Sequence, residues 1–465
     1  MALQPAIIIP TFWTKSETSA RLDADSDKRS GAGNGRRKSG AANAQSDFDQ
    51  ASSGAPFSHP TAIDDPQPPL MRCLTSLSQL RGVNKIILVV ATTDALIDVR
   101  ADERVREIAD QFPRLDIIVL GTSETSSLFR RLEQLELANL VEALSIKSYG
   151  AVRNLGCLAA AILGHDSLIF MDDDEFVDQP DFMEQAVFGL GRPIHSGGYL
   201  LAKSGMVTDI TGDYYQMGTG QLKAGDAADI ASLNKLAPHV KRHWADIFWK
   251  DVPLLNQSIA RSLKPPRLHP STIAFGGCFA IHREMFTKVA FDPWIMRGED
   301  VDYVINARMH GGNVYIDSQW MIRHDSPETG RGPAARFRQN IYRMVYEHRK
   351  LEFAKSQVDL VQITARSLMP YPGGSIAAST PFRAFATGLL RSISGPTRGE
   401  YWRAAWDALG RANTYARTNC ANYFALQRVW PQTVEKLSDD VALQSLMRGE
   451  RSVDYSALTS TFTKV

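Results

Sequence analysis

The run Leu168-Ile-Phe-Met-Asp172-Asp173-Asp174-Glu175-Phe-Val constrains this chain more than any other stretch. Its continuous apolar lead-in reads as a buried parallel strand. Open α/β sheets bind ligands in the crevice beyond the carboxyl ends of such strands. Adjacent carboxylates there repel one another and raise each other's pKa unless a cation neutralises them. A hard divalent ion with oxygen ligands suits that place, and its usual companion is a phosphate. The plainer alternative is a solvated acidic turn, and the strand in front of it argues against that.

Strand and helix patterns alternate around this run. Ile7-Ile-Ile-Pro10-Thr11 reads as a first strand, Leu70 to Leu80 as a helix, and Lys85 to Ala91 as a strand. Asp102 to Phe112 reads as a helix, Leu115 to Leu120 as a strand, Leu128 to Ala143 as a helix, and Arg153 to Leu163 as a small-residue helix. Ser271 to Ile281 reads as a strand holding the glycine pair Gly276-Gly277, and Asn313 to Asp317 as another strand. Such alternation predicts an α/β fold with a doubly wound, mostly parallel sheet. Residues 15–69 are rich in Ser, Gly, Asp and Arg without apolar periodicity and predict a flexible insertion, either a linker or a lid.

At 465 residues the chain exceeds one compact core. A catalytic domain over residues 1–332 and a helical C-terminal region over 333–465 are expected. A net charge of +1 gives no global field for nucleic acid. The four cysteines are scattered, which predicts buried thiols and a cytoplasmic protein rather than a disulfide or zinc framework. No secretion signal is read at the N-terminus, and no apolar run is long enough to predict a transmembrane helix.

The motifs Ile7-Ile-Ile-Pro-Thr11, Cys73-Leu-Thr-Ser-Leu77, Ile87-Leu-Val-Val, Gly150-Ala-Val-Arg-Asn154, Asp172-Asp-Asp174, Phe275-Gly-Gly-Cys-Phe279 and Gly298-Glu-Asp300 follow one another in this order. The set resembles the GT-A fold of nucleotide-sugar-dependent glycosyltransferases, the family-two-like group in particular, over about residues 5–330. Two departures stand out: the insertion after the first strand, and the absence of both the Gln-x-x-Arg-Trp signature and the membrane spans of processive synthases. A non-processive transferase is implied.

The resemblance implies roles residue by residue. Asp172 and Asp174 match the Asp-x-Asp that holds Mn²⁺ or Mg²⁺, with one carboxylate directed to the ribose or a metal-bound water; Asp173 could share the work on the donor, the sequence not separating the three, and His324 matches a third metal ligand. Imidazole suits Mn²⁺, although a capping or core histidine is an equal reading of the sequence. Pro10, Thr11 and Asp94 match nucleoside-contacting positions, while Lys147, Gly150, Arg153 and Asn154 match the place that holds base and diphosphate. Gly276 and Gly277 would let a sugar approach the backbone. Asp300 is the expected general base and Glu299 the expected ligand of acceptor hydroxyls; a helix-capping role for both is the alternative.

The expected reaction transfers one sugar from a nucleotide-diphosphate sugar to a hydroxyl acceptor, inverting the anomeric centre if Asp300 is the base. A sugar-nucleotide nucleotidyltransferase and a non-catalytic sugar- or nucleotide-binding protein are the alternatives. The basic stretch Arg331 to Lys350 predicts either a solvated helix face or a surface for diphosphate, a phosphorylated acceptor or an anionic membrane. Together with the cationic, amphipathic stretch Thr380 to Ile393, it raises peripheral membrane contact and a lipid-linked acceptor.

Overall fold

The computed structural model describes residues 3–16, 57, 60–195, 197–210, 212, 214, 251–325, 333–377, 380–393 and 398–449. In chain order the strands are β1 (Pro5–Thr14), β2 (Thr61–Ala62), β3 (Lys85–Thr92), β4 (Ile117–Leu120), β5 (Ser167–Phe170), β6 (Glu175–Phe176), β7 (Ala202–Thr208), β8 (Leu268–Pro270), β9 (Phe279–His282) and β10 (Val314–His324). They form one sheet in the order β4-β3-β1-β5-β9-β7-β10-β6, with β2 beside β1 and β8 beside β10. β4, β3, β1 and β5 run parallel. β9 then enters antiparallel to both β5 and β7, and β10 returns parallel to β7. The expected α/β, mostly parallel sheet is therefore present, with its antiparallel exceptions on the β9 side.

The helices sort by which strand residues they cover. Alternate β1 and β3 residues point to opposite faces. Ile8, Ile87 and Val89 pack with Leu128 and Leu132 of α3 (Thr122–Gln134) and with Val152 and Leu155 of α4 (Tyr149–Ile162). Ile7, Ile9 and Leu88 pack with Leu70, Leu74 and Leu77 of α1 (Pro69–Ser78) and with Ala101, Val105 and Ile108 of α2 (Asp98–Ala109). Further along come α5 (Phe182–Val187), α6 (Asp251–Ser262) and α7 (Glu299–Met309), then α8 (Pro333–Ala354), α9 (Thr380–Arg391), α10 (Arg398–Leu409), α11 (Arg411–Ser438) and α12 (Val441–Met447).

Three sequence expectations shift. The helix expected over Leu128 to Ala143 starts earlier, because the Glu124 side chain accepts the Gly121 N–H at 3.0 Å and caps it. It stops before Glu136, whose φ of 61° leaves the helical region. The strand expected from Ser271 shrinks to β9, since Cys278 N–H donates to Phe275 O in a tight turn around the glycine pair. The expected flexible insertion is ordered at its far end. Thr61 and Ala62 pair with Trp13 and Thr14, and buried Phe57 lies 4.2 Å from the Phe12 ring. Residues 17–56 lie outside the described residues.

The helical region after residue 332 shares its core with the sheet domain. Ile305 and Met309 of α7 pack with Tyr342 and Tyr346 of α8 and Tyr423 of α11. Within this contact Lys350 is fully buried and ion-pairs with Asp292 at 2.5 Å and Asp302 at 2.7 Å. Burial pushes the Asp302 carboxyl up to about 7, against the lowering effect of Lys350. Removing the lysine would leave two buried carboxylates without their cation. We expect Lys350→Met to lower unfolding free energy by about 3–5 kcal/mol in denaturant titration, and Asp302→Asn in the same background to restore part of the loss.

Candidate active site

β5 ends at Phe170, and the chain turns through Met171–Asp174 into β6. β6 pairs antiparallel with the end of β10, placing Glu175 opposite His324. That register, and the Asp325 N–H donated to Asp174 O at 2.9 Å, bring His324 to the acidic run from 150 residues away. Its Nε2 lies 3.0 Å from Asp174 Oδ2. Burial alone would lower the imidazole pKa, but the carboxylates of Asp174, Glu175 and Asp172 outweigh it and push it up to about 9.

The remaining acids have distinct partners. Asp173 accepts the Thr11 hydroxyl at 2.7 Å. Glu175 accepts the Asp172 N–H at 2.8 Å, closing the turn on itself. Burial, joined by mutual repulsion, raises the carboxyl groups of Asp172, Asp173 and Glu175 above their ordinary range. Asp172 also faces Arg153 of α4, with its oxygen 3.3 Å from one guanidinium nitrogen.

Arg153 connects this run to the next acidic pair. Its Nε donates to Glu299 Oε1 at 2.8 Å and another nitrogen to Gly276 O at 2.9 Å. Glu299 and Asp300 open α7, whose preceding residue Gly298 has φ 72°, the left-handed region that favours glycine. Asp300 accepts the Gly276 N–H at 3.0 Å. Burial and neighbouring Glu299 push its carboxyl up to about 6, with Arg343 and Arg153 opposing.

One cavity of about 230 Å³ joins these groups. Asp172 to Glu175, Arg153, Glu299, Asp300, His324, Gly276 and Gly277 line it, together with Phe12, Tyr149, Arg297, Arg343 and Tyr371. The glycine pair, expected to admit a sugar, has a structural reason for lacking side chains. A Cβ on Gly277 would sit 2.0 Å from a Glu175 carboxylate oxygen, and one on Gly276 would sit 2.3 Å from an Arg153 nitrogen. The glycines make room for the protein's own charged side chains.

Three expected donor positions have partners within the protein, and two others lie away from the cavity lining. Asn154 is fully buried and bonds Ala143 O, Phe291 O and Phe291 N–H, which ties α4 to the segment before α7. Gly150 lets α4 approach the Asp292 backbone, where a Cβ would lie 2.1 Å from the carbonyl oxygen. Asp94 caps the turn after β3 and pairs with Lys15 at 2.8 Å, which lowers its pKa. Pro10 sits in β1 opposite Val89, and exposed Lys147 is not among the lining residues. Thr11 acts through Asp173. Arg297, Arg343 and Tyr371 escaped residue-level reading because only the fold brings their segments to the acids; the basic stretch Arg331 to Lys350 was the one sequence signal for Arg343.

Donor chemistry bears on a bound cation. Among the described residues no three His, Cys, Asp or Glu side chains converge on one point. The lining still holds six carboxyl groups against three guanidinium groups and one imidazole, so its ionised form carries an excess of negative charge. Carboxylate oxygens with one imidazole are ligands suited to Mn²⁺, and carboxylates alone to Mg²⁺.

No protein-family model matches the chain, and no curated protein matches it. Among solved structures, the chain is similar to the mannosyltransferase PcManGT from Pyrobaculum calidifontis in complex with GDP-Man and Mn²⁺. That match has a TM-score of 0.40 and 13% identity over 100% of this chain and 89% of that one. A mycobacterial protein matches with a TM-score of 0.30 and 10% identity, over 74% of this chain and 73% of that one. Glucosyl-3-phosphoglycerate synthase from Mycobacterium tuberculosis, in complex with Mn²⁺, UDP and phosphoglyceric acid, matches with a TM-score of 0.29 and 12% identity, over 70% and 72% of the two chains.

The His324–Asp174 pair has a pH signature. A raised imidazole pKa means the pair stabilises the fold fully below the ordinary value of 6.5 and loses that contribution as pH rises through about 9. We expect the His324 ring resonances of metal-free protein to titrate near 9 by NMR, and Asp174→Asn to move the midpoint toward 6.5.

Proposed function

We propose that this protein is a metal-dependent glycosyltransferase that moves one sugar from a nucleotide-diphosphate sugar to a hydroxyl acceptor. The observation that carries the reading is the meeting, in one cavity, of the acidic run after β5 with the Glu299–Asp300 pair of α7. Asp174 and His324, 3.0 Å apart, would hold Mn²⁺ or Mg²⁺. Asp172 and Asp173 complete the negative field around it, and ligand oxygens and water would fill the remaining positions. When bound, the cation supplies charge neutralisation for the departing diphosphate, worth several kcal/mol in such sites.

The chain's own residues do the rest. Asp300, held by the Gly276 and Val301 N–H groups, takes the acceptor hydroxyl proton as general base. Its raised pKa brings it closer to neutral pH, where a base is more effective. Glu299, fixed by Arg153, is placed to receive acceptor hydroxyls. Direct attack by a hydroxyl so activated inverts the anomeric centre. Phe12 and Tyr149, with Phe57 packed against both, form the aromatic wall beside the acids and would flank the nucleoside. Among the described residues no helix is long and apolar enough to cross a membrane.

Contact with a membrane surface is supported by the α9–α10 pair. Phe382, Trp402 and Trp406 are at least half exposed there, beside exposed Arg398, Arg403 and Arg411. Aromatic and cationic side chains in this mixture suit an anionic interface.

Three outcomes test these readings. Wild type with Mn²⁺ should release nucleoside diphosphate slowly from one nucleotide sugar, and Asp174→Ala or chelation should abolish release. Asp300→Asn should keep donor binding by calorimetry while lowering kcat by about 10²–10⁴-fold, and wild-type kcat/KM should fall as pH drops through about 6. Vesicles rich in anionic lipid should co-sediment the protein, and Trp402→Ser with Trp406→Ser should release it.

A further inference from the structure

The cavity has a second charged end that the acidic run does not use. Arg343 of α8 is 6% exposed. Its Nε donates to Glu347 at 3.1 Å, and its guanidinium lies 5.5 Å from the Tyr371 ring centre. One of its terminal nitrogens is buried with no hydrogen-bond partner among the described residues. A buried guanidinium donor left unmatched costs free energy that a ligand oxygen would recover. Gly298 makes this seat, since a Cβ there would lie 2.4 Å from the Arg343 guanidinium carbon.

Arg297 lines the same cavity. Burial and the like charges of Arg336 and Arg343 act together to lower its pKa. Guanidinium groups gathered in a partly buried corner repel one another unless an anion sits among them.

Position decides which anion. In the proposed reaction the diphosphate of the donor would find its counter-charge in the cation held by Asp174 and His324. The three guanidinium nitrogens of Arg153 are already occupied by Glu299, Gly276 O and Asp172. The Asp300 carboxyl feels Arg153 and Arg343 together. Arg153 reaches from there to the acidic run, and Arg343 lies beneath Gly298. A molecule with its hydroxyl beside Asp300 would lie in the same lining as Arg297 and near Arg343, which acts on that carboxyl.

We infer that Arg297 and Arg343 form an oxyanion subsite for the acceptor, so that the hydroxyl compound glycosylated here carries a phosphate group. This rests on the transferase reading for the word acceptor; the subsite itself rests on the unmatched buried donor and the convergent arginines. Two sources share this chemistry, a soluble phosphorylated compound and a lipid phosphate headgroup.

The test is binding measured on the full chain in saturating nucleoside diphosphate and Mn²⁺, which block the donor half. One arm titrates glycerol phosphate by calorimetry. The other titrates phosphatidylcholine vesicles with and without phosphatidic acid. Saturable binding is expected in at least one arm, the arm identifying the source, with Arg297→Gln weakening it by about tenfold or more at an unchanged melting temperature. Arg343→Lys, which keeps the charge and loses the fork, should weaken it as well, and the melting temperature of that variant should also stay at the wild-type value. Absence of binding in both arms, or displacement of glycerol phosphate by nucleoside diphosphate alone, overturns the subsite. Phosphate binding in a protein that releases nucleoside diphosphate from no donor would keep the subsite and overturn glycosyl transfer. Donor turnover without phosphate binding would do the reverse.

Discussion

Arg153 is the interaction on which the site depends. It is 3% exposed and reaches Asp172 on the turn after β5, Gly276 O before β9, and Glu299 at the start of α7. These segments come from distant parts of the chain; the Glu299 side chain among them is buried, while that of Asp172 is 35% exposed. A buried guanidinium with its donors matched holds such groups in one geometry; removing it would strand carboxylates in a low-dielectric pocket. The acids raise its pKa in turn, against burial. The acidic run and the start of α7 are therefore one electrostatic unit.

Arg153 does not balance that unit alone. The raised carboxyl groups of Asp172, Asp173 and Glu175 mark a pocket whose fully ionised form is uphill without more positive charge. In the metal-free protein, His324 supplies some of that charge by holding a proton. A divalent cation would substitute for that proton and release it, which makes cation affinity steeper with rising pH. The tight fit of Gly276 and Gly277 against Arg153 and Glu175 is part of the same balance, since any side chain there would push the charges apart.

Much of this was legible in the sequence for a simple reason: it is local. The buried strand Ser167–Phe170 and its acidic exit, the alternation of strands and helices, and the acidic opening of α7 are all set by neighbouring residues. Arg153 stood out on the small-residue helix that packs against the sheet, but as an expected diphosphate ligand, whereas its guanidinium bonds Glu299, Gly276 O and Asp172. Asn154, Gly150 and Asp94 misled because a polar or small residue at a strand end or helix start serves packing and capping as readily as ligand binding. Asn154 was recoverable only from its contacts with Phe291 and Ala143, which are tertiary. The ordered end of the insertion was hidden by its polar composition, since Phe57 and Ile63 are too few to show periodicity.

The C-terminal helices were the least legible part, because their meaning lies in what they face. Arg343, Glu347 and Lys350 are spaced at i, i+4 and i+7 and share one face of α8. Lys350 grips Asp302 and Asn306 of α7, and Arg343 lies under Gly298 one turn before them. A single helix of the C-terminal region therefore sets the orientation of the helix that carries Asp300, and also supplies the cationic wall beyond it. The helices after residue 332 consequently share both a core and the cavity lining with the sheet domain. Sequence change in α8 would alter the seating of α7 and the charge of the cavity lining together, so the region that reads as an appendage takes part in building the cavity.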